Sequence, residues 1–195
     1  MVRTLQLAVL ILWGLSGCMS SAPSEPESEP GYAKKLRPSS SVVVSKPGFY
    51  LPKGEPVGWY SNVIWVDPNK ILSNKPSLPN YLRSEVQRQM SNRGHMFVNA
   101  SSAEYVMLAA VILGEMSTSE SEKLNKFFNI DPALNKTSED YDVGTLLLAI
   151  GKRGSHRALW RGAVQAFVGE EVPESVGQKR LEQYIGTLLA SLPQK

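Results

Sequence analysis

Cysteine is nearly absent from this chain, with Cys18 alone among 195 residues. No intramolecular disulfide can form, so stability has to come from packing. Only two histidines accompany it, His95 and His156. Such a set cannot supply the Cys/His ligands of a structural zinc site. Net charge is also scarce: 21 Lys and Arg against 18 Asp and Glu leave +3. That bias is too small to point to nucleic acid as a partner. The apolar run from Leu5 to Leu15 is too short and wrongly flanked for a stable membrane span. There is no Gly-x-Ser-x-Gly nucleophile elbow and no acidic loop with EF-hand spacing. The expectation is therefore a protein that is not an enzyme and uses no cofactor or metal.

What is present starts at the N-terminus. Arg3 is followed by the Leu5–Leu15 run and then by Leu15-Ser16-Gly17-Cys18. A positive start, an apolar run and small residues before a cleavage point make a secretory signal. The last four residues resemble the lipobox of bacterial lipoproteins. That resemblance implies that the Cys18 thiol takes a diacylglycerol, that residues 1–17 are removed, and that the new amine is acylated. Losing Arg3 would lower the net charge by one. Sorting by the residue after Cys18, here Met19, implies the outer membrane, on its periplasmic face.

From Met19 to about Ser41 the chain is rich in Ser, Pro and Glu. Such a composition buries too little apolar surface to offset its ordering entropy, so residues 18–41 are expected to be a disordered tether. Proline-rich chain extends by about 3.1 Å per residue, giving a reach of roughly 60 Å at most. Glu25, Glu27 and Glu29 precede Lys34, Lys35 and Arg37, a split that suits a solvated linker.

Residues 42–195 are expected to form a single domain. Val42–Val44 is a short strand, and Lys46–Tyr60 a Pro- and Gly-rich loop carrying Phe49, Tyr50, Trp59 and Tyr60. Asn62–Val66 is a strand stopped by Asp67-Pro68. Leu78, Leu82, Val86 and Met90 recur every four residues and predict a helix to Arg93, with Pro79 in its first turn and Gly94 as its stop. His95–Val98 enters a short strand. Tyr105–Leu113 shows no polar alternation, which marks a central strand buried on both faces. Gly114–Asp142 is a polar excursion in which Ser119 and Glu122 have capping-box spacing and Leu124, Phe127 and Phe128 could dock on the domain. Val143–Ile150 and Arg157–Val168 make an antiparallel hairpin, with Trp160, Gly162, Val164 and Ala166 on one face. Leu181, Tyr184, Ile185, Leu188, Leu189 and Leu192 stripe a closing helix over Pro173–Leu192. This order predicts an α/β (α+β) two-layer sandwich: a mostly antiparallel sheet with two long helices on one face. The covering of the other sheet face is left open.

Asn92-Arg93-Gly94-His95 leading to Ala103-Glu104-Tyr105-Val106, then Gly144-Thr145-Leu146, Leu159-Trp160-Arg161-Gly162 and the ending Leu188-Leu189-Ala190-Ser191-Leu192-Pro193 form a further pattern. It resembles the bacterial lipoproteins of domain-of-unknown-function family four-one-three-six over about residues 60–193. The hairpin turn Gly151-Lys152-Arg153-Gly154-Ser155-His156 departs from that pattern. The resemblance implies an α/β envelope domain and brings no catalytic residues with it.

Four cations, Lys152, Arg153, Arg157 and Arg161, gather on the hairpin and are the candidate binding site, for phosphate or an acidic partner protein. Ser155 and His156 are sequence neighbours, which rarely have the geometry of nucleophile and base. His95, just past a helix stop, is expected to be a cap or a surface residue. Asp131, Glu139, Asp140 and Asp142 are expected to be a solvated turn. The aromatics of 49–60 either seal a core rim or form a stacking platform. Three functions follow: a membrane-anchored module that binds or scaffolds an envelope component, most simply a protein; a lipid or glycan carrier or sensor; and, last, an envelope hydrolase.

Overall fold

The computed structural model describes residues 40–67, 72, 75–113, 122, 124–125, 142–155, 157–168 and 172–195, and for 142, 143 and 167 the backbone alone. The chain runs β1 (Ser40–Ser45), β2 (Val57–Trp59), β3 (Ile64–Val66), α1 (Leu78–Asn92), β4 (Phe97–Val98), a 3-10 turn (Ala100–Ser102), β5 (Tyr105–Leu113), β6 (Asp142–Lys152), β7 (Ala158–Val168) and α2 (Glu174–Ala190). The seven strands form one open sheet in the order β1-β7-β6-β5-β2-β4, with β3 also paired to β5. β1/β7, β7/β6 and β6/β5 are antiparallel, whereas β2 and β3 both run parallel to β5. The two-layer α+β fold expected from the sequence is the one observed.

β5 is buried at all nine of its positions. Val, Ile, Leu and Ala without alternation leave it no solvent face, and both faces are covered. Met107, Ala109, Val111 and Leu113 join a core with Leu82, Val86 and Met90 of α1, Ile185, Leu188 and Leu189 of α2, and Trp160. On the opposite face Leu108, Ala110 and Ile112 join Val66, Leu147, Ala149 and Leu124. Leu124 belongs to the polar excursion, so that segment contributes part of the second cover. Of the rest of the excursion, Ser119, Phe127 and Phe128 lie outside the described residues.

Trp160 is completely buried, and its indole N–H has no acceptor among the described residues. Such an orphan donor costs about 1–3 kcal/mol. Burying roughly 200 Å² of indole at about 25 cal/mol per Å² contributes about 5 kcal/mol, so packing wins. The neighbouring glycine makes room for this. A Cβ on Gly162 would stand 2.9 Å from Leu188 Cδ2 and 3.4 Å from the Trp160 ring, so only a bare backbone lets α2 settle on β7.

One expected loop holds a strand, and the strand expected over Asn62–Val66 is observed as β3. The Lys46–Tyr60 segment contains β2, whose Val57, Gly58 and Trp59 pair with Tyr105, Val106 and Met107. β3 then pairs Ile64 with Ala110. β2 and β3 thus lie in line along the same side of β5, interrupted at Tyr60–Val63 opposite Leu108 and Ala109, with β4 paired to β2 beyond them. The interruption breaks the alternation, which hid β2. At the other edge, β1 begins at Ser40 rather than Val42.

The helices lie side by side, N-terminus beside N-terminus. Ser77 Oγ donates to Glu174 Oε1, and further along Gln89 Nε2 donates to the Glu182 carbonyl at 2.9 Å. α1 stops where Gly94 takes φ 88° and the His95 N–H bonds the Met90 carbonyl at 3.0 Å, a left-handed C-terminal cap. Glu85, 5 % exposed, receives Arg88 through Nε at 2.7 Å and Nη2 at 2.6 Å, and Gln89 at 2.6 Å. Arg88 also reaches Glu182 at 2.8 Å.

The Arg88 hydrogen bonds hold the Glu85 carboxyl below its ordinary value of 4.5, outweighing the burial that would raise it. A depressed folded-state value contributes stability above the unfolded value, lost as pH falls through the folded one. In Glu85→Gln the stability lost on acidification below about pH 4.5 should shrink, as read by urea midpoints across pH. An acid limb identical to that of the wild type contradicts this.

Candidate functional site

The hairpin joining β6 to β7 carries the basic cluster, and the structure divides it. Lys152 Nζ pairs with Glu104 Oε1 at 2.8 Å and sits 5.9 Å from the Tyr105 ring centre. Its hydrogen bond to Glu104, and the charge of that carboxylate, hold the ammonium above the ordinary lysine value. Arg153 is exposed but tied down: Nε donates to the Ala103 carbonyl at 3.0 Å, and its N–H bonds the Glu104 carbonyl at 2.8 Å. Both residues thus fasten the turn to the segment before β5. Gly154, at φ 76°, closes that turn in the left-handed conformation that favours glycine.

Arg157 and Arg161 differ. Arg157 is exposed and Arg161 half-buried, and neither guanidinium has a partner among the described residues. Trp160 and Gly162 face the helices, so Arg161 faces the other way. There it stands in a cross-strand row with Val44 of β1 and Ala149 of β6. The next row is Val42, Ala163, Leu147 and Ala110. Burial falls across these rows, from complete at β5 and β6, through half-buried Ala163 and Arg161, to Val42 at 56 % and Val44 at 44 % exposure. The binding candidate narrows to two cations without a partner among the described residues, Arg161 on a partly apolar sheet face and Arg157 just before β7.

The remaining candidates sort as follows. His95 is fully buried, not at the surface. Its N–H caps α1, as expected, while its ring bridges Glu55 O to Nδ1 at 3.0 Å and Gln194 Nε2 to Nε2 at 2.6 Å. One neutral tautomer satisfies both: Nδ1–H donates to the carbonyl, and Nε2 accepts from the amide. The C-terminus is held nearby, with Leu51 N–H on the Pro193 carbonyl at 2.9 Å and Lys53 N–H on that of Lys195 at 3.1 Å. No sequence signal pairs residue 95 with residue 194. Cys18, His156, Asp131, Glu139 and Asp140 lie outside the described residues, as does the side chain of Asp142. Among the described residues no three His, Cys, Asp or Glu side chains converge as metal ligands, and no helix is long and apolar enough to cross a membrane.

The aromatics of 49–60 split between rim and surface. Trp59, 8 % exposed, stacks on Phe97 at 5.0 Å under the Arg83 guanidinium at 4.6 Å. Phe49 tilts against Tyr105 at 6.2 Å. Tyr50 and Tyr60 stay exposed, Tyr50 beneath Lys195 Nζ at 4.9 Å. A cavity of about 90 Å³ lies elsewhere, at the end of the sandwich where β5 and β7 stop, walled by Leu78, Leu113, Leu146, Val168, Leu181 and Tyr184, with Lys75 and Arg180 among its lining residues.

Removing the His95 ring takes away the hydrogen-bond partner of the half-buried Glu55 carbonyl and of the Gln194 amide, and empties a fully buried position. His95→Ala should therefore cost about 1–3 kcal/mol, read as a lowered urea midpoint. An unchanged midpoint contradicts the assignment.

No family model matches the chain, and no curated protein matches it. Among solved structures, PelC from Paraburkholderia phytofirmans, described as a dodecamer, is similar over 80 % of this chain and 99 % of its own, at 11 % identity and a TM-score of 0.48. A DUF4136 family protein from Bacteroides thetaiotaomicron is similar over 78 % of this chain and 94 % of its own, at 6 % identity and a TM-score of 0.49. The second carries the name of the family that the sequence motifs resemble.

Proposed function

We propose that this chain is a lipoprotein anchored through Cys18 to the periplasmic face of the outer membrane. Its α+β domain binds or scaffolds another envelope component, most simply a protein, and is not an enzyme. The observation that carries this is Leu15-Ser16-Gly17-Cys18 at the end of an apolar run, directly before a Pro- and Ser-rich stretch. Each buried methylene contributes about 0.8 kcal/mol, so one acyl chain holds marginally and the several chains of a lipoprotein hold permanently.

The hollows among the described residues favour a binding module over a carrier, since the one of about 370 Å³ is lined by the polar Arg88, Gln89, Asn92, Arg93 and Glu182 rather than by apolar side chains. Pockets for drug-sized ligands occupy about 300–1,000 Å³. The cavity at the end of the sandwich has about 90 Å³ and is not beneath the aromatic segment. Arg157 and Arg161, lacking partners among the described residues, instead favour a partner that meets the outer sheet face with carboxylates or phosphates.

Cells labelled with radioactive palmitate and then fractionated test the anchor. The wild-type chain should carry label and sediment with membranes, and Cys18→Ala should do neither. An unlabelled, freely soluble wild type overturns the proposal. In the anchored chain, Arg157→Glu with Arg161→Glu should abolish crosslinking to envelope proteins, and unchanged crosslinking excludes this face.

A further inference from the structure

Among the described residues β1 is an edge strand, with β7 as its one neighbour in the sheet. Natural edges are blunted by charges, prolines or bulges. Ser40-Ser41-Val42-Val43-Val44-Ser45 has no charge and no proline, and its six pairs with β7 run without a register shift. Val42 and Val44 are among the most exposed apolar side chains described. Left bare, such a strand is a template for another.

Its own backbone indicates what fits. The Lys46 N–H bonds the Leu159 carbonyl of β7 at 2.7 Å, continuing the Ser45↔Trp160 register. Orientation alternates along a strand, so Val44 and Val42 also turn their backbone groups toward β7. Ser41, Val43 and Ser45 turn theirs outward. Residues 41–45, Ser-Val-Val-Val-Ser, read the same in both directions. A two-fold axis at Val43 places this strand antiparallel to a copy of itself. Val43 then faces Val43 of the copy as a hydrogen-bonded pair, and Ser41 and Ser45 pair with Ser45 and Ser41. Every outward N–H and C=O of 41–45 is satisfied, and the exposed Val42 lies directly across from Val44 in a close, non-hydrogen-bonded pair. An axis at Val42 or Val44 would point the central backbone groups away from the copy and set serine against valine.

We infer that β1 is the interface for a second copy of this chain, joining two sheets edge to edge through an antiparallel Val42–Val44 pairing. The symmetric strand supplies its own complement, with no charge to oppose contact.

Cysteine crosslinking of the full-length chain in detergent reads the register. Opposed residues of a non-hydrogen-bonded pair have Cα atoms about 4.5 Å apart, within the range a disulfide spans. Val42→Cys chains mixed with Val44→Cys chains should give a disulfide-linked dimer on mild oxidation. Either variant alone should give little, which also controls for Cys18. Val43→Pro removes an outward N–H while leaving the bonds to β7, and should make the chain monomeric in analytical ultracentrifugation. Val44→Lys, at an exposed site, should do the same if the proline variant fails to fold. A monomeric wild type without the mixed crosslink, equal crosslinking in single-variant samples, or capture of a different protein at these positions each overturns the inference.

Discussion

Water is excluded from both sides of β5, and the rest of the domain follows from that constraint. A strand with nine buried residues needs a layer on each face and a paired neighbour on each edge. The helix layer supplies one face, through Leu82, Val86 and Met90 of α1 and Ile185, Leu188 and Leu189 of α2. Of the cover on the second face, Leu124 is the part that lies among the described residues of the excursion. β6 pairs along its whole length on one edge, and β2 with β3 share the other. The parallel sense of those two short strands is the geometric result of α1 crossing between β3 and β5.

The long elements were legible because their signals are redundant. Leu78, Leu82, Val86 and Met90 predicted the α1 face, and all four are buried. The uninterrupted apolar run of β5 predicted two buried faces, and the hairpin arms were placed to within a few residues. β3 was legible within Asn62–Val66, whereas β2 was not, because its three residues lie in a segment dense in Pro and Gly and the interruption at Tyr60–Val63 breaks period-two alternation. Gly58 looks like a loop residue, yet it sits in β2 because Ala100 Cα would stand 2.6 Å from its Cβ. The burial of His95 was equally hidden, since its partners, Glu55 and Gln194, are far off in sequence.

The candidate site shows how composition misleads about charge. Four cations close in sequence suggest one patch, but pairing divides them. Glu104 holds Lys152, and the Ala103 carbonyl holds Arg153. What is left is Arg157, just before β7, and Arg161, on the sheet face where burial fades from β6 to β1. A gradient of this kind places the apolar surface available for contact at one edge of the domain rather than in a pocket.

The central claim is that two-sided burial of β5 anchors the domain. Native-state hydrogen exchange resolved by residue tests it most directly. Amides from Val106 to Ile112 should open only with global unfolding, while those of β2 and β4 exchange through smaller openings. Exchange of the β5 amides as fast as that of β4 would contradict the account.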